Sequence, residues 1–206
     1  MQEVMNLVAK GASGKTPVLI TGETGTGKEL IARAIHANSQ YSNQNFVILD
    51  CTALSPNLVE CTLFGHVKGA FTGANSSRAG LIKQAHNGSL FMDEIGELPL
   101  AQQKIFLRVL QEGSFLPVGS DKEQKSDFKL ISATNRNLEE MCSSGEFRED
   151  LYYRIKSIII NLPSLRERPE DIKSLVQFHV TSICERDHKA TKGISEEFLD
   201  TLNSYD

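Results

Sequence analysis

The sequence predicts an α/β fold in which a parallel sheet is covered by helices. Three observations lead there. Apolar, β-rich runs at Val18 to Thr21, Phe46 to Leu49, Ser89 to Met92, Lys129 to Ala133 and Ile158 to Leu162 alternate with segments of helical spacing. The first run enters a glycine-rich turn that leads straight into one of those helical segments. A length of 206 residues, 40% hydrophobic and 23% charged, suffices for one main globular domain with a small appendage.

Between the first two runs, Leu30, Ile31, Ala34 and Ile35 form an apolar stripe at helical spacing, expected to pack on the sheet. Between the third and fourth runs, Ala101, Ile105, Phe106, Val109 and Leu110 form a second stripe, ended by Gly113. Gly119 to Asp127 is polar enough for an exposed loop. After Pro163 the pattern changes. Pro169 can open a helix carrying Ile172, Leu175, Val176 and Ile183, and Ser195 with Glu196 and Glu197 can cap another. Residues 1–163 are therefore expected to form the α/β domain, and 164–206 the start of a small helical subdomain.

A formal net charge of -4 argues against a surface built mainly to hold nucleic-acid phosphates. Cys51, Cys61, Cys142 and Cys184 show no C-x-x-C spacing, so neither a zinc site nor a disulfide framework is expected. No apolar run approaches the roughly 20 residues of a membrane helix, and the N-terminus has no signal-peptide layout. A soluble, cytoplasmic protein without a membrane partner is expected.

The turn after the first run reads Gly22-Glu23-Thr24-Gly25-Thr26-Gly27-Lys28-Glu29, with the strand before it and helix after it that a phosphate-binding P-loop requires. Its glycines let backbone N–H groups turn toward phosphate oxygens, the helix N-terminus adds a favourable dipole, and Lys28 can reach the β and γ phosphates. Glu29 occupies the position where Ser or Thr usually offers magnesium a hydroxyl, so the ion must lean on water, phosphate and other carboxylates. Asp93 and Glu94 follow a buried run directly, at the sheet edge where α/β folds place ligands. Alone, such a pair after a strand is more often a helix cap or solvated turn. With the P-loop upstream, Asp93 is expected to hold Mg2+ and Glu94 to polarise an attacking water. The segment Gly69-Ala70-Phe71-Thr72-Gly73-Ala74 offers one aromatic and one hydroxyl among small residues. Its spacing alone fits a flexible partner-binding loop and a turn pinned by a buried Phe71 equally well.

That segment matches, letter for letter, the GAFTGA signature of sigma-54-dependent transcriptional activators, and the chain resembles their AAA+ ATPase domain over nearly its whole length. The glycine loop reproduces the family's GETGTGKE form, Glu29 included. The resemblance implies ATP hydrolysis with Mg2+, assembly into a hexameric or heptameric ring, and contact of residues 69–74 with sigma-54 and its RNA polymerase holoenzyme. Ala133-Thr134-Asn135-Arg136 resembles the first sensor, which implies that Thr134 and Asn135 face the γ-phosphate or the water. Phe147 to Arg154 resembles the arginine-finger segment, so Arg148 and Arg154 map to residues that reach a neighbouring subunit's site. Leu162 to Arg168 is close to the family's LPPLRER passage into the helical lid.

Two departures bear on this. The family often has Asn at the position of Asp50, where it restrains the catalytic glutamate; an aspartate would repel Glu94 instead of donating to it. The chain also ends at Tyr205-Asp206, before the lid's second-sensor arginine, and begins inside the family's adenine-contacting stretch. The resemblance thus implies a fragment, largely monomeric and weakly hydrolytic alone, with DNA targeting through a domain outside these residues. Two other readings stand beside it: a nucleotide-binding regulatory scaffold with little hydrolysis, which Asp50 would favour, and an AAA+ motor acting on DNA or unfolded protein, which the signature loop disfavours.

Overall fold

Five parallel strands in the order β2-β5-β8-β1-β9 form the central sheet of the computed structural model, which describes residues 2–52, 56–190 and 193–203. In chain order the elements begin with α1 (Gln2–Ala12), β1 (Val18–Thr21), α2 (Lys28–Ala37), β2 (Phe46–Asp50), α3 (Pro56–Phe64), β3 (Gly65–His66) and β4 (Arg78–Ala79). There follow α4 (Leu81–Gln84), β5 (Ser89–Asp93), α5 (Leu100–Glu112), β6 (Ser114–Phe115), β7 (Gln124–Lys125) and β8 (Lys129–Thr134). The last are α6 (Leu138–Ser143), α7 (Glu149–Ile155), β9 (Ile158–Asn161), α8 (Pro169–Arg186) and α9 (Glu196–Asn203). The chain divides into two units, Met1–Leu162 and Pro163–Asp206.

In the first unit both sheet faces are buried, which is why its strands are continuous apolar runs. Successive side chains alternate between two cores. Leu90 and Met92 join Leu19, Leu130, Leu63, Phe106 and Leu151 on one face, while Phe91 joins Ile20, Ile131, Val4, Val8 and Ile35 on the other. Lys129 opens β8 fully buried, its Nζ donating to the carbonyls of Gly11, Gly14 and Thr16 at 2.6, 2.5 and 3.3 Å. These bonds satisfy the orphan carbonyls after α1 and tie that helix to the sheet.

Both helical stripes pack on the sheet, with Ile31, Ala34 and Ile35 of α2 and Ile105, Phe106, Val109 and Leu110 of α5 in or against its cores, and one residue of each stripe departs. On α2 the buried residues are Lys28, Ala32, Ile35 and His36, while Leu30 is 72% exposed. His36 turns inward because its Nδ1 meets Ser89 Oγ at 2.8 Å. On α5, Gly113 does end the helix, at φ 68°, but Ala101 is exposed and the buried face is Gln103, Phe106, Leu107 and Val109. His36 and Gln103, polar side chains with internal partners, thus join the apolar ones on the buried faces. The polar stretch from Gly119 to Asp127 is not wholly loop, since β7 pairs antiparallel with β6 and Ser126 is buried. No helix among the described residues is long and apolar enough to cross a membrane.

In the second unit, Ser164 N and Oγ both donate to Glu167 at 2.8 Å, closing a capped turn. Pro169 stands in the first turn of α8, where its missing N–H costs nothing, and Ser195 Oγ accepts from Phe198 N at 3.3 Å to start α9. Tyr205 and Asp206 lie outside the described residues.

Candidate functional site

The parallel registers bring the carboxyl ends of β1, β5 and β8 together, and the chain leaves each of them into a site loop. Thr21 pairs with Thr134, and Asp93 pairs with Asp50 across β2. From β1 the chain turns through Gly22 to Gly27, with Gly25 at φ 85° and Gly27 at φ 97°, values that a side chain would strain. The loop closes on itself, Thr26 donating from N and from Oγ1 to the Glu23 carbonyl at 3.3 and 2.8 Å. It opens directly onto the N-terminus of α2, where four backbone donors lack helical partners.

Lys28, 7% exposed, lies back across this loop. Its Nζ donates to the carbonyls of Gly22 and Glu23 at 3.1 and 3.3 Å and stands 3.3 Å from Glu94 Oε1. The other oxygen of Glu94 accepts from the Asn135 N–H at 2.9 Å, and Asn135 Nδ2 donates to Thr24 Oγ1 at 3.0 Å. One network therefore spans the P-loop, the residue after β5 and the residue after β8. Glu94 sits in the left-handed region at φ 49° and ψ 53°. A non-glycine side chain there is strained, and such strain persists where the surroundings fix the residue for a task. Thr134 is fully buried, and its Oγ1 accepts from Arg136 N at 3.0 Å. Its carbonyl accepts from Gly22 N at 3.3 Å.

Burial and then the Glu94 charge push the Asp93 carboxyl above its ordinary range, Asp50 adds to this, and its bond from Glu94 N (3.1 Å) and Lys28 oppose it. The same carboxylates, with burial as the first cause, push the Cys51 thiol up to about 12. Negative charge in excess of the one lysine is an arrangement that a divalent cation relieves, and the oxygen donors are those a hard cation takes. Asp50 is exposed, with Oδ1 accepting from Thr52 N and Oγ1 at 2.8 and 2.6 Å. Among the described residues no group of three His, Cys, Asp or Glu side chains stands ready to hold a metal, so phosphate and water would complete its shell.

Not every residue singled out in the sequence joins this network. Glu29 is exposed and bound to Arg33, with Oε1 accepting at 2.9 and 2.7 Å. The guanidinium of Arg148 grips Asp150 at 3.0 and 2.7 Å, and Arg154 donates to the Leu110 carbonyl at 2.9 Å. Both arginines stand at the start and end of α7 with side chains reaching solvent. The pairing raises the Arg148 pKa, through the hydrogen bond to Asp150 first, and lowers that of Asp150.

The loop from Gly69 to Ala74 lies between β3 and β4. It is closed by Gly69 N to Ala74 O at 2.9 Å and Ala74 N to Phe71 O at 3.0 Å. Phe71 is 44% exposed, with its ring edge against His66, and Thr72 is exposed, so the turn is not pinned by a buried aromatic. A second segment braces it: Val118 donates to Gly65 O at 2.9 Å and accepts from Val67 N at 3.1 Å. Gly119 follows at φ 74°, where an added Cβ would lie 2.8 Å from that of Ala70. The sequence reading missed this brace, and it missed Gln103. Gln103 shares a helical face with Phe106, Leu107 and Leu110, a phase that marks a buried polar group.

Residues 1–161 match the family model described as the sigma-54 interaction domain. The chain is 46% identical over 206 residues to the transcriptional regulatory protein ZraR of Salmonella typhimurium, covering 100% of this chain and 47% of ZraR. It is 45% identical over 205 residues to the DNA-binding transcriptional regulator NtrC of Proteus hauseri, covering 100% of this chain and 43% of NtrC. The crystal structure of NtrX from Brucella abortus superposes with a TM-score of 0.92 at 35% identity over 100% of this chain and 46% of that one. NtrX has also been solved with ADP and with ATP. Hsp104 of S. cerevisiae shares the fold, with a TM-score of 0.66 at 20% identity over 92% of this chain and 36% of that one. The chain spans about half the length of these regulators. With the P-loop and the carboxylate pair at the edge of the central sheet and the signature loop between β3 and β4, the chain belongs to the sigma-54 interaction domain family, the AAA+ P-loop domain of sigma-54-dependent activators.

Proposed function

We propose that this chain binds ATP with Mg2+, hydrolyses it within a homo-oligomeric ring and uses the cycle to move residues 69–74 against sigma-54 in RNA polymerase holoenzyme. The observation that carries the reading is the network from Lys28 through Glu94 and Asn135 to Thr24. It brings a cation for phosphate, a carboxylate for water and the glycine-rich loop together within one site. Gly22 to Gly27 and Lys28 bind the phosphates. Asp93 holds the magnesium, whose charge, when bound, offsets that of the phosphates. Glu94 orients and polarises the attacking water, with Asn135 fixing its carboxylate. Glu29, turned to Arg33 on the same helix, stands outside the metal shell. Thr134, accepting from the Arg136 N–H, holds the turn that carries Asn135 from within the sheet. Asp50 adds negative charge beside Asp93 and Glu94.

Arg148 and Arg154 serve a neighbouring subunit's site, each leaving its present partner for phosphate oxygens across the interface. Residues 1–163 make the nucleotide-binding subdomain and 164–206 a helical lid. DNA is engaged through another domain. The test is open-complex formation at a sigma-54 promoter by the full natural chain, with ATP and with a non-hydrolysable analogue. Opening with ATP alone is expected; equal opening with both would refute coupling to hydrolysis.

A further inference from the structure

A primary amide carries two N–H donors and one strong acceptor, and burying it without partners costs more than burying a leucine of similar size. Gln103, on α5, is fully buried among apolar neighbours. Its Nε2 donates to the Leu98 carbonyl at 2.7 Å and to the Glu146 carbonyl at 3.2 Å, and its Oε1 accepts from the Arg148 N–H at 2.8 Å. Every group of the amide is thus used, and every partner is main chain.

Those partners lie on two segments with different tasks. Leu98 ends the turn that Glu94 opens, and Arg148 is the residue from which α7 starts. Among the described residues the Arg148 guanidinium hydrogen-bonds to Asp150, two residues along the chain, so its direction follows from how the backbone is held at that position. Arg154 is referenced to the same helix through the Leu110 carbonyl on α5.

We infer that Gln103 is a positioning residue that fixes the backbone of Arg148 to the turn carrying Glu94, so that the arginine a subunit offers its neighbour is held in register with its own catalytic turn. The inference rests on the proposed action of Arg148 across the subunit interface. Gln103→Leu fills the space but leaves the Arg148 N–H and the Leu98 and Glu146 carbonyls unpaired. A misplacement on the order of 1 Å costs about 100-fold in rate. The fall is expected in kcat, with KM for ATP little changed, because the phosphate loop makes no hydrogen bond to Gln103.

The experiment mixes variants of the full natural chain and measures ATP hydrolysis. Lys28→Ala subunits cannot turn over but still offer Arg148; Arg148→Ala subunits have a complete site but offer nothing. Gln103→Leu is expected to recover hydrolysis when mixed with Lys28→Ala and not when mixed with Arg148→Ala. The reverse pattern, recovery only with Arg148→Ala, places the defect in the subunit's own site and overturns the inference. Recovery with both, or with neither, overturns it as well. Gln103→Glu keeps the acceptor for the Arg148 N–H and passes through the same mixtures, with a smaller loss expected, so that misfolding of the leucine variant leaves the question decidable. If the reference mixture of Arg148→Ala with Lys28→Ala shows no recovery, the reading of Arg148 itself is at fault. Recovery there with the wrong Gln103 pattern faults the inference alone.

Discussion

Lys28 Nζ stands 3.3 Å from Glu94 Oε1, with the two side chains 7% and 18% exposed. The ammonium also holds the Gly22 and Glu23 carbonyls, so it is already placed over the phosphate loop before any phosphate arrives. Each charge-assisted contact to phosphate is worth roughly 1.5–3 kcal/mol. Lys28→Ala should therefore weaken ATP binding by at least about 100-fold in equilibrium titration. Unchanged affinity would remove the P-loop assignment.

Glu94→Gln preserves the shape of the side chain and an oxygen for the Asn135 N–H, but an amide cannot polarise water as a carboxylate does. Nucleotide affinity should persist while single-turnover hydrolysis slows by about 10²- to 10⁴-fold. Near-normal turnover would move the catalytic role to another residue.

Much of this arrangement is legible in the sequence, and the parts that are not have a common cause. The five strands are apolar because both faces are covered, so their runs stand out; the Gly22 to Lys28 segment is legible from its glycines between strand and helix, and the Gly69 to Ala74 segment only through its resemblance to the family signature. Hydrophobic spacing fails where a polar side chain finds an internal partner. His36 on Ser89, Lys129 on three carbonyls and Gln103 on three main-chain groups are all buried against the rule, and His36 and Gln103 add polar members to the buried faces of α2 and α5. The positive φ of Glu94 comes from the tertiary surroundings, which local sequence does not encode, whereas the turning of Glu29 toward Arg33 is a local i,i+4 pairing on α2.

Asp93 links the site to stability. Its folded-state pKa is raised above 3.8 by burial, then by Glu94, so the stability it contributes is complete below that value and lost as pH rises through the folded pKa. Asp93→Asn removes that loss. Its melting temperature should exceed that of the unsubstituted protein by a few degrees at neutral pH, the gap closing in acid, while its ATP affinity becomes insensitive to Mg2+ chelation. A lower melting temperature at neutral pH, or Mg2+ dependence retained in full, would contradict this account of the carboxylate.

Gly119 presses on Ala70 from the bracing segment and sits at a positive φ that other residues adopt with strain. Gly119→Ala should displace the signature loop without touching the phosphate network. ATP hydrolysis by the full natural chain is expected within about 3-fold of normal, with promoter opening reduced by roughly 10-fold or more, a loss of about 1.4 kcal/mol in coupling. Parallel losses in both assays would show that the brace also supports the nucleotide site.

The central claim, that chemistry at Lys28 and Glu94 is transmitted through residues 69–74 to a partner, is tested most directly by separating the two activities. Phe71 and Thr72 are exposed and, among the described residues, hydrogen-bond to no phosphate-loop residue. Phe71→Ala and Thr72→Ala in the full natural chain, assayed side by side for ATP hydrolysis and for open-complex formation at a sigma-54 promoter, should keep the first and lose the second. Hydrolysis that falls in step with opening, or opening that survives both substitutions, would contradict the account.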